Sequence, residues 1–290
     1  MAQILDCTLR DGGYYTNWDF DKDLIENYIK AVSKLPIAIV ELGYLSNQKD
    51  SKGPFYHLSP KILKTFKENL NKKQKIFVMI NIKEIKKPSE LIELIKPNIK
   101  YIDGIRFAID PKSIKKITPI INKTKLKFKK LEFCFNLMYA SEWINNLEFT
   151  KKIINQSLKV AHKVCLVDSF GAITPQTLFT NIRKLKSINS ANFSGVHFHN
   201  NCNLALANTI ASINEGIERV DTTFCGMGRG SGNAETELLL AYLKTKINNT
   251  FDLTKLIDQL NLMKNKLCWG PSYAYAYSAR NGFSQAKMMN

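Results

Sequence analysis

Histidine is scarce in this chain, four residues among 290, and arginine is scarcer than the charge suggests. The formal charge is +17, yet the guanidinium groups are only Arg10, Arg106, Arg183, Arg219, Arg229 and Arg280. Surfaces that grip phosphates bidentately or read base edges favour arginine over lysine. The lysine-rich stretches 61–75 and 112–130 therefore read as solvated helix faces, and no nucleic-acid partner is expected. Six cysteines include no C-x-x-C pair, which argues against a closed structural zinc site. Cys7, Cys134 and Cys165 lie in apolar, strand-like runs and read as reduced, buried thiols. No run approaches the roughly 20 apolar residues of a membrane span, and no apolar leader follows Met1. A soluble cytoplasmic protein without a membrane partner is expected. Linkers rich in Pro or Ser, internal repeats and low-complexity segments are also missing. One catalytic domain over residues 1–250 is expected, with 251–290 as a helical and aromatic extension packed on it.

What the chain does contain is alternation. Short β-branched or apolar runs occur at Ile4–Leu9, Ile37–Leu42, Ile76–Ile80, Ile102–Phe107, Leu131–Asn136, Val164–Asp168, Gly195–His199 and Val220–Phe224. Amphipathic stretches separate them at intervals that fit a βα unit. Strand–helix alternation implies a parallel sheet with helical crossovers. Eight units predict an α/β fold, a (β/α)8 TIM barrel, with an open doubly wound sheet as the structural alternative.

Two of the four histidines stand two residues apart, in His197-Phe198-His199. Residues i and i+2 of a strand share a face, so both imidazoles can reach one point, and neutral imidazole is a common metal ligand. In a barrel the active site lies at the C-terminal ends of the strands. That rim holds Arg10-Asp11-Gly12-Gly13, Glu41, Arg106, Asp168-Ser169, the two histidines and the glycine-rich run from Gly226 to Asn233. Asp11, His197 and His199 offer a carboxylate and two imidazoles, a set suited to Mn²⁺, Mg²⁺, Co²⁺, Fe²⁺ or Zn²⁺ with positions left for substrate. Such an ion can act as a Lewis acid towards a 2-oxo acid, and Arg10 would add fixed positive charge at the developing oxyanion. Arg10 and Asp11 could equally form a local surface ion pair before a glycine turn.

Leu5-Asp6-Cys7-Thr8-Leu9-Arg10-Asp11-Gly12-Gly13 resembles the opening signature of the DRE-TIM metallolyase superfamily, the relatives of HMG-CoA lyase. Gly195 to Asn201 resembles its H-x-H-N metal strand, and Gly226 to Ala234 resembles its terminal glycine-rich segment. The three motifs follow one another in family order over about residues 1 to 245. The resemblance implies that Asp11, His197 and His199 bind a divalent metal, Mn²⁺ first, with Mg²⁺, Co²⁺ or Zn²⁺ as alternatives. It implies that Asn233 is a ligand or a close neighbour of the metal, and that Arg10 stabilises an enolate. Val164 to Ala172, with its D-S-x-G-A stretch, and Gly104 to Ala108 are most similar to the 4-hydroxy-2-oxovalerate aldolase branch. In that branch a histidine after the R-D-G segment serves as base; Tyr14 and Tyr15 stand there instead.

The expected activity is therefore cleavage or formation of a C–C bond next to a 2-oxo acid carbonyl through a pyruvate-like enolate. The small-molecule partners are a 2-oxo acid and an aldehyde, and the protein is expected to be a homo-oligomer. Arg10, Tyr14, Tyr15 and His57 are the candidate catalytic residues. Glu41, Arg106, Asp168 and Ser169 are the candidate substrate contacts, with Glu41 also able to orient Arg10 or Arg106. His162 precedes strand six on the opposite face and reads as structural. Tyr273, Tyr275 and Tyr277 alternate near the end and could cap the site or form an oligomer contact. Two rivals stand beside this reading: an acyl-CoA condensing enzyme of the homocitrate or isopropylmalate synthase type, and a non-catalytic basic binding protein on the same barrel. The stretch after residue 250 is shorter than the regulatory region of many isopropylmalate synthases, so feedback of that kind is not expected.

Overall fold

The computed structural model describes residues 2–48, 50–188, 193–247 and 250–282. Eight parallel strands close a barrel in sequence order: β1 (Gln3–Asp6), β2 (Ile39–Tyr44), β3 (Lys75–Ile80), β4 (Gly104–Ile109), β5 (Glu132–Leu137), β6 (Lys163–Asp168), β7 (Phe193–Phe198) and β8 (Arg219–Thr222). Closure is made by β1 against β8, with Gln3 opposite Arg219 and Asp6 opposite Thr222. The open-sheet alternative is thereby excluded, and the (β/α)8 barrel expected from the alternation is the observed fold.

Strand parity explains both the core and the site. On the outer face Val40, Leu42, Ile105, Phe107, Val196, Phe198 and Val220 join the large apolar layer between sheet and helices. The residues between them point inward. Leu5, Ile39, Phe77 and Cys134, with Cys7, form a second, smaller apolar cluster. Two residues further along four of the strands, the interior turns polar and charged: Glu41, Arg106, Asn136 and Asp221 are each no more than 2% exposed. His197 belongs to the same layer, because Val196 pairs with Val220 and the next position on each strand is His197 and Asp221.

The clearest departure from the sequence expectation is at the first strand. It ends at Asp6, and Thr8–Thr16 forms helix α1, so Arg10 to Gly13 is helical and not a glycine turn. Asp6 terminates the strand chemically. Its buried carboxylate accepts from Thr8 N (3.1 Å), Thr8 Oγ1 (3.0 Å), Tyr28 Oη (2.6 Å) and Thr236 Oγ1 (2.9 Å), which ties the chain entering α1 to two other elements. Gly13 is needed for close packing: a Cβ there would fall inside the Trp18 indole. That ring is buried and donates from Nε1 to Arg10 O (2.9 Å). Cys7 accordingly precedes a helix and does not lie within a strand.

The crossovers after β1 and β2 are α2 (Lys22–Val32) and α3 (Pro60–Asn69), started by Asp21 and Ser59, whose side chains accept from Asp23 N and Ile62 N. Serine and aspartate at this position satisfy otherwise unpaired amides. Later crossovers are α4 (Pro88–Ile95), α5 (Ile114–Lys127), α6 (Ala140–Trp143), α7 (Leu147–Leu158), α8 (Pro175–Ile188), α9 (Ala205–Asn214) and α10 (Thr236–Tyr242). Beyond them α11 (Thr250–Leu267) lies along α2, with Asn27 Nδ2 donating to Gln259 Oε1 (2.9 Å). The last described helix is α12 (Tyr273–Arg280). No helix among the described residues is long and apolar enough to cross a membrane.

Candidate active site

A cavity of about 310 Å³ opens at the C-terminal end of the barrel, with Arg10, Asp11, His197, His199, Tyr14 and Arg229 among its lining residues. Asp11, His197 and His199 converge here, with ligand atoms all within 4.8 Å of one another. The strand parity expected for H-x-H holds even though β7 ends at Phe198. His199 is fixed by an isolated bridge to Asn233, and the two rings sit edge-on with centroids 5.0 Å apart.

Each imidazole is held by its Nδ1. His197 Nδ1 lies 3.1 Å from Asp221 Oδ2, and His199 Nδ1 lies 3.0 Å from the carbonyl oxygen of Asp168. These contacts leave both Nε2 atoms for other work, with His197 Nε2 3.5 Å from Asp11 Oδ2. Such outer contacts orient metal-binding imidazoles in known sites. Burial pushes the His199 imidazole down to about 4, aided by the neighbouring His197, so it is neutral and its lone pair is free near neutral pH. For Asp11 burial opposes ionisation, but Arg10, the two histidines and the Asn233 amide outweigh it and hold the carboxyl below its ordinary range.

The residues fit a divalent cation on three independent counts. Asn233 donates from Nδ2 to Asp11 Oδ2 (2.7 Å), while its buried Oδ1 has no hydrogen-bond partner among the described residues. A buried acceptor without a partner is costly, and a cation would satisfy it. The His199 lone pair is free, as above. The connected charged layer holds two guanidiniums, Arg10 and Arg106, against three carboxylates, Asp11, Glu41 and Asp221, leaving a negative excess. A second grouping, Cys7, His197 and Asp221, does not fit. Burial pushes the Cys7 thiol well up, its Sγ donates to Thr222 O, and Asp221 is engaged by Arg106.

Arg10 is clamped by Asp11 Oδ1 and, through Nε, by Glu41 Oε2 (2.7 Å). Burial disfavours its charge, but these carboxylates more than offset that and raise its pKa. Its Nη2 makes no hydrogen bond among the described residues, so a fixed cation faces the cavity. Arg106 does not. It is 1% exposed and bonded to Asn136 Oδ1 (3.0 Å), Glu41 Oε2 (3.3 Å) and Asp221 Oδ2. The expectation that Arg106 and Glu41 touch substrate is corrected: neither lines the cavity, and together they brace Arg10 and Asp221 from below. Asp168 is likewise a bracing group. Its Oδ2 accepts from Ile173 N (2.8 Å) and its carbonyl holds His199. Burial raises its carboxyl to about 6 despite backbone hydrogen bonds. Ser169 does line the cavity, with Oγ accepting from Tyr139 N (3.0 Å).

The two tyrosines separate. Tyr14 lines the cavity with its ring against Trp18 (4.8 Å between centroids). Tyr15 turns away, donating to Gly230 O (3.1 Å) and packing near Trp269; burial, with Tyr275, pushes its phenol up to about 12. A catalytic role for Tyr15 is not supported. Nor is one for His57, whose Nδ1 lies 3.2 Å from Ser46 O and whose Nε2 lies 2.9 Å from Asp50 Oδ1, in the loop after β2 and outside the cavity wall. His162 accepts from Phe133 N (2.9 Å) at the start of β5, the structural role expected of it. Tyr273, Tyr275 and Tyr277 are not in the cavity wall.

Comparison with known proteins agrees with this geometry. The HMGL-like family profile matches residues 103–263. The chain belongs to the HMGL-like family. Sequence relatives of this HMGL-like chain include a 4-hydroxy-2-oxovalerate aldolase of Thermomicrobium roseum, 26% identical over 266 residues that span 88% of this chain and 70% of the relative. A 4-hydroxy-2-oxovalerate aldolase of Thermus thermophilus is 41% identical over a shorter stretch, 34% of this chain and 28% of the relative. Among solved structures, the N-terminal domain of a candidate aldolase from Bacteroides vulgatus superposes with a TM-score of 0.90 at 36% identity, covering 99% of this chain and 95% of that one. The resemblance carried by the three motifs is thereby borne out at family level.

Four positions in the site escaped sequence reasoning: Asp221, Asn136, Tyr44 and Tyr139. Asp221 had a usable signal, a carboxylate inside the apolar run of strand eight at the parity of His197. Asn136 and the two tyrosines carry none, because polar and aromatic residues end many strands.

Proposed function

We propose that this chain is a divalent-metal-dependent C–C lyase that cleaves, or in reverse forms, the C3–C4 bond of a 4-hydroxy-2-oxo acid. The observation that carries the reading is the convergence of Asp11, His197, His199 and the unpartnered Asn233 Oδ1 beside the clamped Arg10 in one cavity. Asp11, His197 and His199 would hold the ion, Asn233 would complete or border the set, and Mn²⁺ is the first choice that the family resemblance implies. The ion supplies Lewis acidity towards the oxygens of the 2-oxo acid.

The chain's own residues do the rest. In cleavage the 4-hydroxyl loses its proton as the C3–C4 bond breaks. The freed O–H pair forms the aldehyde carbonyl, the C3–C4 pair becomes the C2–C3 double bond, and the carbonyl π pair moves to the 2-oxo oxygen, giving an enolate and an aldehyde. Arg10 is a preorganised cation beside the cavity, so it stabilises the developing negative charge without having to move. Among the phenols that line the cavity, Tyr14, Tyr44 and Tyr139, Tyr14 is the one assigned to accept or return the proton. Tyr44, Met79 and Phe170 are among the lining residues and help to exclude water. Ser169 and Asn136 offer polar contacts to the acid. The relatives named 4-hydroxy-2-oxovalerate aldolase support the same reaction class.

Exchange of the pyruvate methyl protons in D₂O tests the reading without knowledge of the aldehyde. Exchange that appears with Mn²⁺ and disappears on chelation is expected. Its absence for pyruvate and for 2-oxobutyrate, in metal-loaded folded protein, refutes the proposal.

A further inference from the structure

We propose that Arg229 is an anion-recognition residue, and that the aldehyde part of the substrate carries a carboxylate or phosphate at its far end. The inference rests on the lyase reading above and names the substrate class that reading leaves open.

Arg229 lies on the glycine-rich loop after β8 and lines the same cavity as Arg10 and the two histidines. Arg10, Arg106, Arg183 and Arg219 each rest on at least one carboxylate. Arg229 has no ion pair or side-chain hydrogen bond among the described residues; its guanidinium sits over the Tyr14 ring, 5.5 Å from the centroid. A cation–π contact of this kind holds a guanidinium beside the ring without using its N–H groups, which remain for an anion. The loop itself is held closely: Gly232 N donates to Arg229 O (3.2 Å) and Asn233 N to Gly226 O (3.1 Å). Asn233, four residues on, bonds Asp11, so the loop that presents Arg229 is anchored to the proposed metal site.

Function explains the choice of residue better than solubility does. This chain meets its need for solvated positive charge with lysine, yet places arginine at a partly buried position in a cavity. Arg10 is already committed to Asp11 and Glu41 and serves the carbonyl end. A second guanidinium in the same cavity is surplus for a substrate with one anionic end and matched to one with two. The cavity lining also includes the apolar Met79, Ala108, Met138 and Val167, which suits a short carbon chain joining the two ends. A cavity of about 310 Å³ is at the small end of ligand sites, as such a substrate requires.

The test compares pairs of aldehydes that differ in the terminal anion, each condensed with pyruvate by Mn²⁺-loaded enzyme: succinic semialdehyde against butanal, and glyceraldehyde 3-phosphate against glyceraldehyde. A charge-assisted contact contributes about 1.5–3 kcal/mol, so kcat/KM for the charged member of at least one pair should be at least about tenfold higher. Whichever pair shows it identifies carboxylate or phosphate. In Arg229→Gln that ratio should collapse towards one, and Arg229→Lys should restore part of it. Binding of 2-oxoadipate against 2-oxohexanoate by calorimetry gives a readout independent of turnover, with the same loss expected in Arg229→Gln. Melting curves confirm that the variants fold. Equal use of charged and neutral aldehydes by the native protein overturns the inference, as does an Arg229→Gln variant that retains the preference. Slowed pyruvate exchange in Arg229→Gln with an unchanged aldehyde ratio also overturns it, by placing Arg229 at the 2-oxo acid. If native protein neither exchanges pyruvate protons nor condenses any aldehyde, the lyase reading fails first and takes the inference with it. Exchange without the aldehyde preference sinks the inference alone.

Discussion

Replacing Asp221 by Asn should weaken divalent-metal binding without emptying the barrel of its fold. Asp221 Oδ2 does two things at once: it accepts from Arg106 and it holds His197 Nδ1 at 3.1 Å. The carboxylate increases the basicity of the opposite imidazole nitrogen and fixes which nitrogen carries the proton. Loss of such a partner typically costs 10- to 100-fold in metal affinity, about 1.4–2.7 kcal/mol. The substitution also removes one of three carboxylates from the charged layer, so the lower half of that range is the least to expect. Arg106 would keep Glu41 (3.3 Å) and Asn136 (3.0 Å). Stability should therefore fall by about 3 kcal/mol, at the low end of the range for a broken buried pair. Titration of Mn²⁺ into metal-free protein by calorimetry measures the first effect, and thermal melting in the same buffer measures the second. A Kd within twofold of the native value in a folded variant would refute the claim that Asp221 positions a metal ligand.

Tyr14→Phe should lower pyruvate exchange and aldol turnover by about 10²–10⁴-fold, the range for a removed acid–base group, while Tyr15→Phe should stay within a few-fold; equal rates in the two variants would put the proton elsewhere. Gly13→Ala should lower the melting temperature, because overpacking against the fixed Trp18 indole costs about 1–3 kcal/mol and exceeds the gain of about 1 kcal/mol from replacing glycine in a helix; a stabilised variant would show that the indole can shift. Glu237 accepts from Cys225 N through both oxygens (3.1 and 3.0 Å), and burial raises its carboxyl to about 7. A raised carboxyl pKa contributes stability that is complete below the unfolded value near 4.5 and is lost as pH rises through 7. Melting temperature should therefore fall over pH 4.5–7 less steeply in Glu237→Gln than in the native protein, and parallel profiles would count against this.

The barrel was legible because each strand is a short run with one consistent period and each crossover is amphipathic; those signals are local. The convergence of His197 and His199 was legible for the same reason, since H-x-H on a strand fixes two side chains on one face whatever surrounds it. What failed was the end of strand one. Cys7-Thr8-Leu9 carries β-compatible residues, but the four hydrogen bonds that Asp6 accepts, two of them from residues far along the chain, stop the strand and start a helix. The glycine pair then looked like a turn when its use is close packing, Gly13 against Trp18 and Gly12 against Met227. Arg106 and Glu41 were assigned to substrate because both stand near the ends of their strands. How deep a strand residue lies in the barrel depends on the stagger of the closed sheet, which no single strand encodes. Tyr15 and His57 were misplaced for a related reason: α1 sends neighbouring Tyr14 and Tyr15 to different sides, and the loop after β2 turns His57 to Ser46 and Asp50.

The buried charged layer is the link between fold and chemistry. Buried ion pairs seldom stabilise a protein more than apolar residues of the same size would, so stability does not account for Arg106, Glu41 and Asp221 in the centre of the barrel. Position does. Glu41 touches both guanidiniums, Arg106 joins Glu41 to Asp221, and Asp221 reaches His197. A single connected network thus fixes Arg10 on one side and the His197 imidazole on the other, with strands β2, β4, β7 and β8 as rigid supports. Such a network holds the Arg10 guanidinium and the His197 imidazole at a constant separation. Electrostatic preorganisation requires that constancy: dipoles and charges already in place when negative charge develops. The negative excess of the layer then explains why the site would accept a divalent cation, and the clamped Arg10 explains why the charge on a substrate oxygen need not be neutralised by that cation alone.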